Sequence, residues 1–212
     1  MCGIAGEIRF DGATPDLGRL QAMADTMNRR GPDGAGLFAQ RQTAFAHRRL
    51  KIIDLSDAAE QPMVDTDLGL SLVFNGCIYN HRELRAELAG AGYRFFSNGD
   101  SEVLLKAYHH WGEDFVHHLN GMFAFAIAER ESGRLLLGRD RLGIKPLYFS
   151  EGEGFFRFAS SLQALARYDD IDKSLDAEAL AFYFSFHAVV PPPWTILKGV
   201  RKLPPATLMR IE

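Results

Sequence analysis

Thiols are scarce in this chain: of 212 residues only Cys2 and Cys77 are cysteine, too few for a disulfide scaffold. Long apolar runs are missing too. None approaches the roughly 18 residues that a membrane span needs, and the opening Met1-Cys2-Gly3-Ile4-Ala5-Gly6 has neither the basic region nor the apolar core of a secretion signal. These absences point to a reducing cytoplasm, where a reactive thiol survives. Charge of one sign is also lacking: 24 Lys and Arg against 27 Asp and Glu give a formal net charge of −3, so neither a nucleic acid nor a membrane surface is an expected partner. Of the seven histidines, the adjacent pairs His109-His110 and His117-His118 diverge by about 100° on a helix, which makes no metal-ligand pair. No metal is expected. No glycine loop of Walker or Rossmann type is visible, so no nucleotide site is expected in these residues.

What is present suits one large domain, or one domain plus an appendage, with 47% hydrophobic residues for its core. Ile4 to Phe10 reads as a strand, and Thr14 as the cap of a helix bearing Leu17, Leu20, Ala24 and Met27. Arg29 to Gly36 is a charged loop. Leu37 to Ala39 and Thr43 to Ile53 read as strands, Asp54 to Asp67 as a long covering loop, and Leu70 to Phe74 as a strand ending in Asn75-Gly76. Asn80 with Glu83 resembles a capping box, and Asp100-Ser101-Glu102 opens the next helix. From Met122 the segments Phe123–Ala128, Leu135–Arg139, Leu147–Ser150 and Phe155–Ala159 form an antiparallel meander. Short helices near Leu162 to Tyr168 and Asp176 to Ser185 follow, then Pro191-Pro192-Pro193, a stiff extended run. Strands and helices in blocks predict an α+β fold with helices layered on antiparallel sheets.

Cys2 is the residue around which chemistry can be organised. Once Met1 is removed, one residue carries both a thiol and a free α-amine, with unperturbed pKa values of about 8.5 and about 7.7 to 8.0, and a chain-end amine can activate its own side chain. Taken alone, a cysteine here is more often a small buried residue at a strand end. Attack on an amide also needs oxyanion donors and a grip on the substrate. Asn75-Gly76 offers one side-chain amide and one backbone N–H, although the pair alone is more often a turn. Arg49 is suited to a carboxylate and Asp100 to an ammonium, with a solvated strand charge and a helix cap as the plainer readings.

Six motifs bear on the choice: Met1 to Gly6; Arg30-Gly31-Pro32-Asp33; His47-Arg48-Arg49-Leu50; Phe74-Asn75-Gly76 with Ile78-Tyr79-Asn80; Gly99-Asp100-Ser101-Glu102; and Gly138 to Tyr148. In this order they resemble the glutaminase domain of the class II glutamine amidotransferases, in particular the glutamine-hydrolysing asparagine synthetases. The resemblance implies a four-layer α/β/β/α N-terminal nucleophile hydrolase sandwich of antiparallel sheets. It implies Cys2 as nucleophile, Asn75 and Gly76 as the oxyanion hole, and Arg49, Ile52, Ile53, Asn75, Gly76, Cys77 and Asp100 as the L-glutamine site. It further implies residues 1–165 as the glutaminase unit, and 166–212 as a helix and Pro-rich segment leading towards an ATP-dependent synthetase domain of the same polypeptide. ATP and magnesium are expected only in that second domain, and a homodimer is a candidate assembly.

Cys77 departs from the pattern, because the asparagine synthetases usually carry Glu after Asn-Gly; its absence throws the ammonium contact onto Asp100. The Asn75-Gly76-Cys77-Ile78-Tyr79-Asn80 form and Phe186 to Pro193 resemble the N-acetylglutaminylglutamine amidotransferases, which amidate a dipeptide carboxyl group. The rival to an ammonia-releasing enzyme is a silent module of the same fold that senses glutamine.

Overall fold

Phe123-Ala124-Phe125-Ala126-Ile127-Ala128 alternates bulky and small side chains, and a strand sends the two sets to opposite faces. In the computed structural model, which describes residues 1–212, both sets are buried. The bulky set packs under two helices and the alanines face a second sheet.

The elements in chain order are β1 (Gly3–Arg9), α1 (Leu17–Asp25), β2 (Gly34–Gln40), β3 (Thr43–Arg49), β4 (Met63–Asp65), β5 (Leu70–Ile78), α2 (His81–Gly90) and α3 (Asp100–Trp111). After them come α4 (Phe115–His118), β6 (Gly121–Glu129), β7 (Leu135–Arg139), β8 (Tyr148–Gly152), β9 (Phe155–Ala159), α5 (Leu162–Leu165), α6 (Ala177–Ser185), β10 (Arg201–Lys202) and β11 (Thr207–Ile211). The strands form two antiparallel sheets, β10-β8-β9-β1-β3-β2 and β11-β7-β6-β5-β4. Three apolar layers separate four structural ones. Leu20, Met23 and Ala24 of α1 pack on Ala5, Ala44 and Ala46 of the first sheet, and Leu84, Leu88, Val103 and Leu104 of α2 and α3 pack on Leu72, Phe74, Phe123 and Phe125 of the second. Between the sheets lie Ile4, Ile8, Phe45, Val73, Ala124 and Ala126. This is the expected α/β/β/α sandwich.

Several local expectations are corrected. Asp16, not Thr14, caps α1, its carboxylate accepting the Arg19 N–H. β3 stops at Arg49 rather than Ile53, because the Lys51 N–H turns to the Asp33 carboxylate at 3.0 Å. β5 runs through Asn75-Gly76 to Ile78, held along its length by β6, so the pair is neither a turn nor a strand end. No capping box forms at Asn80; its amide instead bonds the Asn120 N–H and the His118 carbonyl across the chain. Asp100 is the first residue of α3, with Gly99 at the cap. The meander is two hairpins in different sheets, β6-β7 and β8-β9, and the chain crosses between them at 140–147. Asp140 folds that crossing by accepting from Leu142, Ile144 and Lys145. Pro191 to Trp194 form a turn, with the Trp194 N–H on the Pro191 carbonyl. Beyond residue 165 the chain rejoins both sheets, β10 on β8 and β11 on β7.

Candidate active site

β1 and β3 pair so that Ile4 lies opposite His47 and Gly3 opposite Arg48. This register carries Cys2 to the end of β3, where its Sγ accepts the Leu50 N–H at 3.3 Å and its S–H faces the Leu50 carbonyl at 3.7 Å. Burial pushes the thiol upward, opposed by the Leu50 bond, so the folded protein favours the protonated thiol. Attack therefore needs a base beside the sulfur. The Cys2 carbonyl is held by the Arg30 guanidinium at 3.2 Å, which fixes the chain end beneath the sulfur.

Cys2 lines a cavity of about 200 Å³ together with Met1, Arg49, Leu50, Ile52, Ile53, Asp54, Gln61, Asn75, Gly76, Cys77, Gly99, Asp100, Ser101, Met122 and Lys145, among others. Every candidate residue from the sequence is in this wall. Ile52 is at the rim, largely exposed, and Ile53 is half-buried. Arg49 is buried, and its guanidinium donates to the carbonyls of Ser56 at 2.9 Å and Asp54 at 2.6 Å. It thus holds the 50–56 loop closed from within the cavity wall. Asp54 ties the same loop to the opposite wall by accepting the Asn98 N–H at 2.7 Å.

Asp100 is buried at the start of α3 and accepts the Ile78 N–H at 2.9 Å. Burial raises its carboxyl, partly opposed by that bond; an ammonium guest would reverse the penalty. Glu102 fixes the approach to α3 through the N–H groups of Phe96 and Ser97. Cys77 has its thiol raised by burial and by Asp100, with Lys145 acting the other way.

The far wall is the uncovered edge of β5. β4 begins at Met63, opposite Leu72, and covers β5 no further towards Ile78. Odd-numbered β5 residues face β6, as the bonds Tyr79 N–H to Asn120 and Arg130 N–H to Gly69 at the two ends show. Even-numbered ones face away, so the Phe74 N–H goes to Gln61 and the Ile78 N–H to Asp100. Gly76 lies between them with the same parity, and its N–H is directed at the cavity. Asn75 is buried, and its side-chain Nδ2 has no partner. A side chain at Gly76 has no room: a Cβ there would lie 2.5 Å from the Met122 carbonyl oxygen and 2.7 Å from the Phe74 ring. Two donors without a protein partner in one cavity wall are placed to meet an arriving acceptor.

The sequence reading missed His47, Gln61, Asp54 and Lys145. His47 was visible in the His-Arg-Arg-Leu motif and Lys145 in the Gly138 to Tyr148 motif; Asp54 opened the covering loop, and Gln61 carried no local signal.

The family model described as a glutamine amidotransferase domain matches residues 1–212. The chain belongs to this family. Asparagine synthetase [glutamine-hydrolyzing] 3 of Bacillus subtilis (strain 168) is 35% identical over 209 residues, 97% of this chain and 34% of that protein. Asparagine synthetase B of Escherichia coli (strain K12) is 40% identical over 168 residues, 78% of this chain and 30% of that protein. The chain spans about a third of the length of the curated relatives it matches. The glutamine phosphoribosylpyrophosphate amidotransferase structure from B. subtilis, complexed with ADP and GMP, superposes with a TM-score of 0.66 at 20% identity, covering 78% of this chain and 43% of that one. That likeness is one of fold, two stacked antiparallel sheets between helices.

Proposed function

We propose that this domain hydrolyses L-glutamine to glutamate and ammonia, with Cys2 as the nucleophile exposed by removal of Met1. The observation that carries the reading is the pair of open donors, Asn75 Nδ2 and the Gly76 N–H, in the same cavity as the Cys2 sulfur. The freed α-amine takes the thiol proton as sulfur bonds the γ-carbonyl carbon, and the carbonyl oxygen becomes the oxyanion between Asn75 and Gly76. The amine returns the proton to nitrogen, the C–N bond breaks, and ammonia leaves a thioester. Water, deprotonated by the same amine, then attacks the thioester and releases glutamate. Asp100 receives the substrate ammonium and Arg49 its carboxylate.

The reading places residues 1–165 as the main glutaminase unit, with 166–212 leading to a synthetase domain of the same polypeptide. ATP and magnesium belong to that domain, which activates an acceptor carboxylate, asparagine synthetase-like or a dipeptide of the N-acetylglutaminylglutamine kind, and takes up the ammonia. Within residues 1–212 no helix is long and apolar enough to cross a membrane, and we place the protein in the cytoplasm. The test is ammonia release from L-glutamine by the full-length polypeptide after Met1 removal is verified by mass spectrometry, with Cys2→Ala as control. Processed protein that binds glutamine without releasing ammonia would establish the silent sensor instead.

A further inference from the structure

We infer that His47 and Gln61 form a clamp on the Phe74 peptide that sets the oxyanion donors relative to the nucleophile. The inference rests on the glutamine hydrolysis proposed above and makes both of them positioning residues. The Phe74 N–H donates to Gln61 Oε1 at 2.6 Å, and His47 Nε2 lies 3.2 Å from the Phe74 carbonyl oxygen. That carbonyl belongs to the same peptide unit as the Asn75 nitrogen, so the clamp grips the chain one bond before the hole.

One arm belongs to the other sheet, and the second leads into β4 while resting on that sheet. His47 is in β3, opposite Ile4 and so two residues along β1 from Cys2. The backbone of Gln61 is pressed on Gly36 of β2, where a Cβ would fall 2.0 Å from the Gln61 carbonyl oxygen. The sheet beside the sulfur therefore holds the strand that carries the donors.

A plain structural reading is that two buried polar side chains merely satisfy a bare strand edge. A neighbouring strand would do that more completely, since β4 already does so as far as Leu72. A strand continued along this edge would also engage the Gly76 N–H. Two side chains satisfy Phe74 and then stop, which leaves the next inward N–H open. Because the Phe74 oxygen can only accept, His47 Nε2 carries the hydrogen, and its Nδ1 is left without a partner.

The experiment uses the processed full-length protein and the variants His47→Leu, Gln61→Leu and His47→Gln, the last keeping an N–H near the Nε2 position. Each is assayed for kcat and KM with L-glutamine and for affinity towards the γ-aldehyde analogue of glutamine. The thiol adds to that aldehyde, placing an oxygen where the oxyanion forms. The Leu variants are expected to lose about 10- to 100-fold in kcat, less than the 10²- to 10³-fold cost of deleting a donor, with KM within about threefold. Affinity for the aldehyde falls in step, and His47→Gln recovers most of both. A kcat within threefold of wild type in both Leu variants, or a lowered kcat with full aldehyde affinity, overturns the clamp. Should His47→Leu fail to fold by circular dichroism, Gln61→Leu and His47→Gln carry the same comparison. An inactive processed wild type overturns the proposed hydrolysis and the clamp with it, whereas an active one with indifferent variants overturns the clamp alone.

Discussion

Replacing His47 with Gln should make the fold more tolerant of acid. His47 has no solvent exposure, and its imidazole is driven down to about 3, chiefly by burial and with help from Arg49, against the opposing bond to the Phe74 carbonyl. In the unfolded chain the same group titrates near its ordinary value of about 6.5. A depressed folded pKa contributes stability that is present above 6.5 and lost as pH falls, because the unfolded chain takes up a proton that the folded chain refuses. At about 1.4 kcal/mol per pH unit the loss reaches about 2 kcal/mol at pH 5. That is a sizeable fraction of the roughly 5–15 kcal/mol that holds a domain together. Urea unfolding of wild type and His47→Gln, followed by far-ultraviolet circular dichroism at pH 7.5 and pH 5.0, isolates the contribution, since every other titrating group is common to both. Wild type should lose about 2 kcal/mol more than the variant between the two conditions. Equal losses would show that the imidazole accepts its proton inside the fold, contrary to its surroundings.

Asp100→Asn should raise stability at neutral pH and weaken glutamine binding. A raised carboxyl contributes stability below its unfolded pKa and loses it as pH rises through the folded value, so the gain in urea midpoint should shrink on acidification; KM should rise roughly 10- to 100-fold for a lost charged hydrogen bond. A γ-diazoketone analogue of glutamine should alkylate Cys2 and spare Cys77, as peptide mass mapping would show, and modification of Cys77 alone would remove Cys2 from its role. Gly76→Ala should cost about 1–3 kcal/mol by overpacking against the Met122 carbonyl and abolish ammonia release. Unaltered unfolding and turnover would mean that β5 has slack at that point.

The fold class and eight of the cavity residues, among them Cys2, Arg49, Asn75, Gly76 and Asp100, were legible in the sequence because the motifs keep their order and each places one chemical group. What escaped was settled by contacts between distant segments. Leu50 to Ile53 alternates like a strand, yet the Asp33 carboxylate takes the Lys51 N–H from the ladder. Asn75-Gly76 has the composition of a turn, and β6 overrides it by pairing through Ile78. The two-residue β10 and the partly exposed β11 form sheet edges, β10 with no apolar residue and β11 without a strict alternation of apolar and polar residues. Gln61 could not be assigned from its neighbours in sequence, since its partner is 13 residues away across a loop.

The inter-sheet face of β6 is built from alanines, Ala124, Ala126 and Ala128, which meet Ile4, Ile8 and Phe45 of the opposing sheet. Sulfur and oxyanion donors belong to opposite sides of this seam, so the reacting gap is shimmed from behind by methyl groups that never touch substrate. A larger side chain at Ala126 would therefore act like a wedge in a closed book. It would prise the pages apart at the open margin, dulling catalysis from a position that no inspection of the cavity wall would single out.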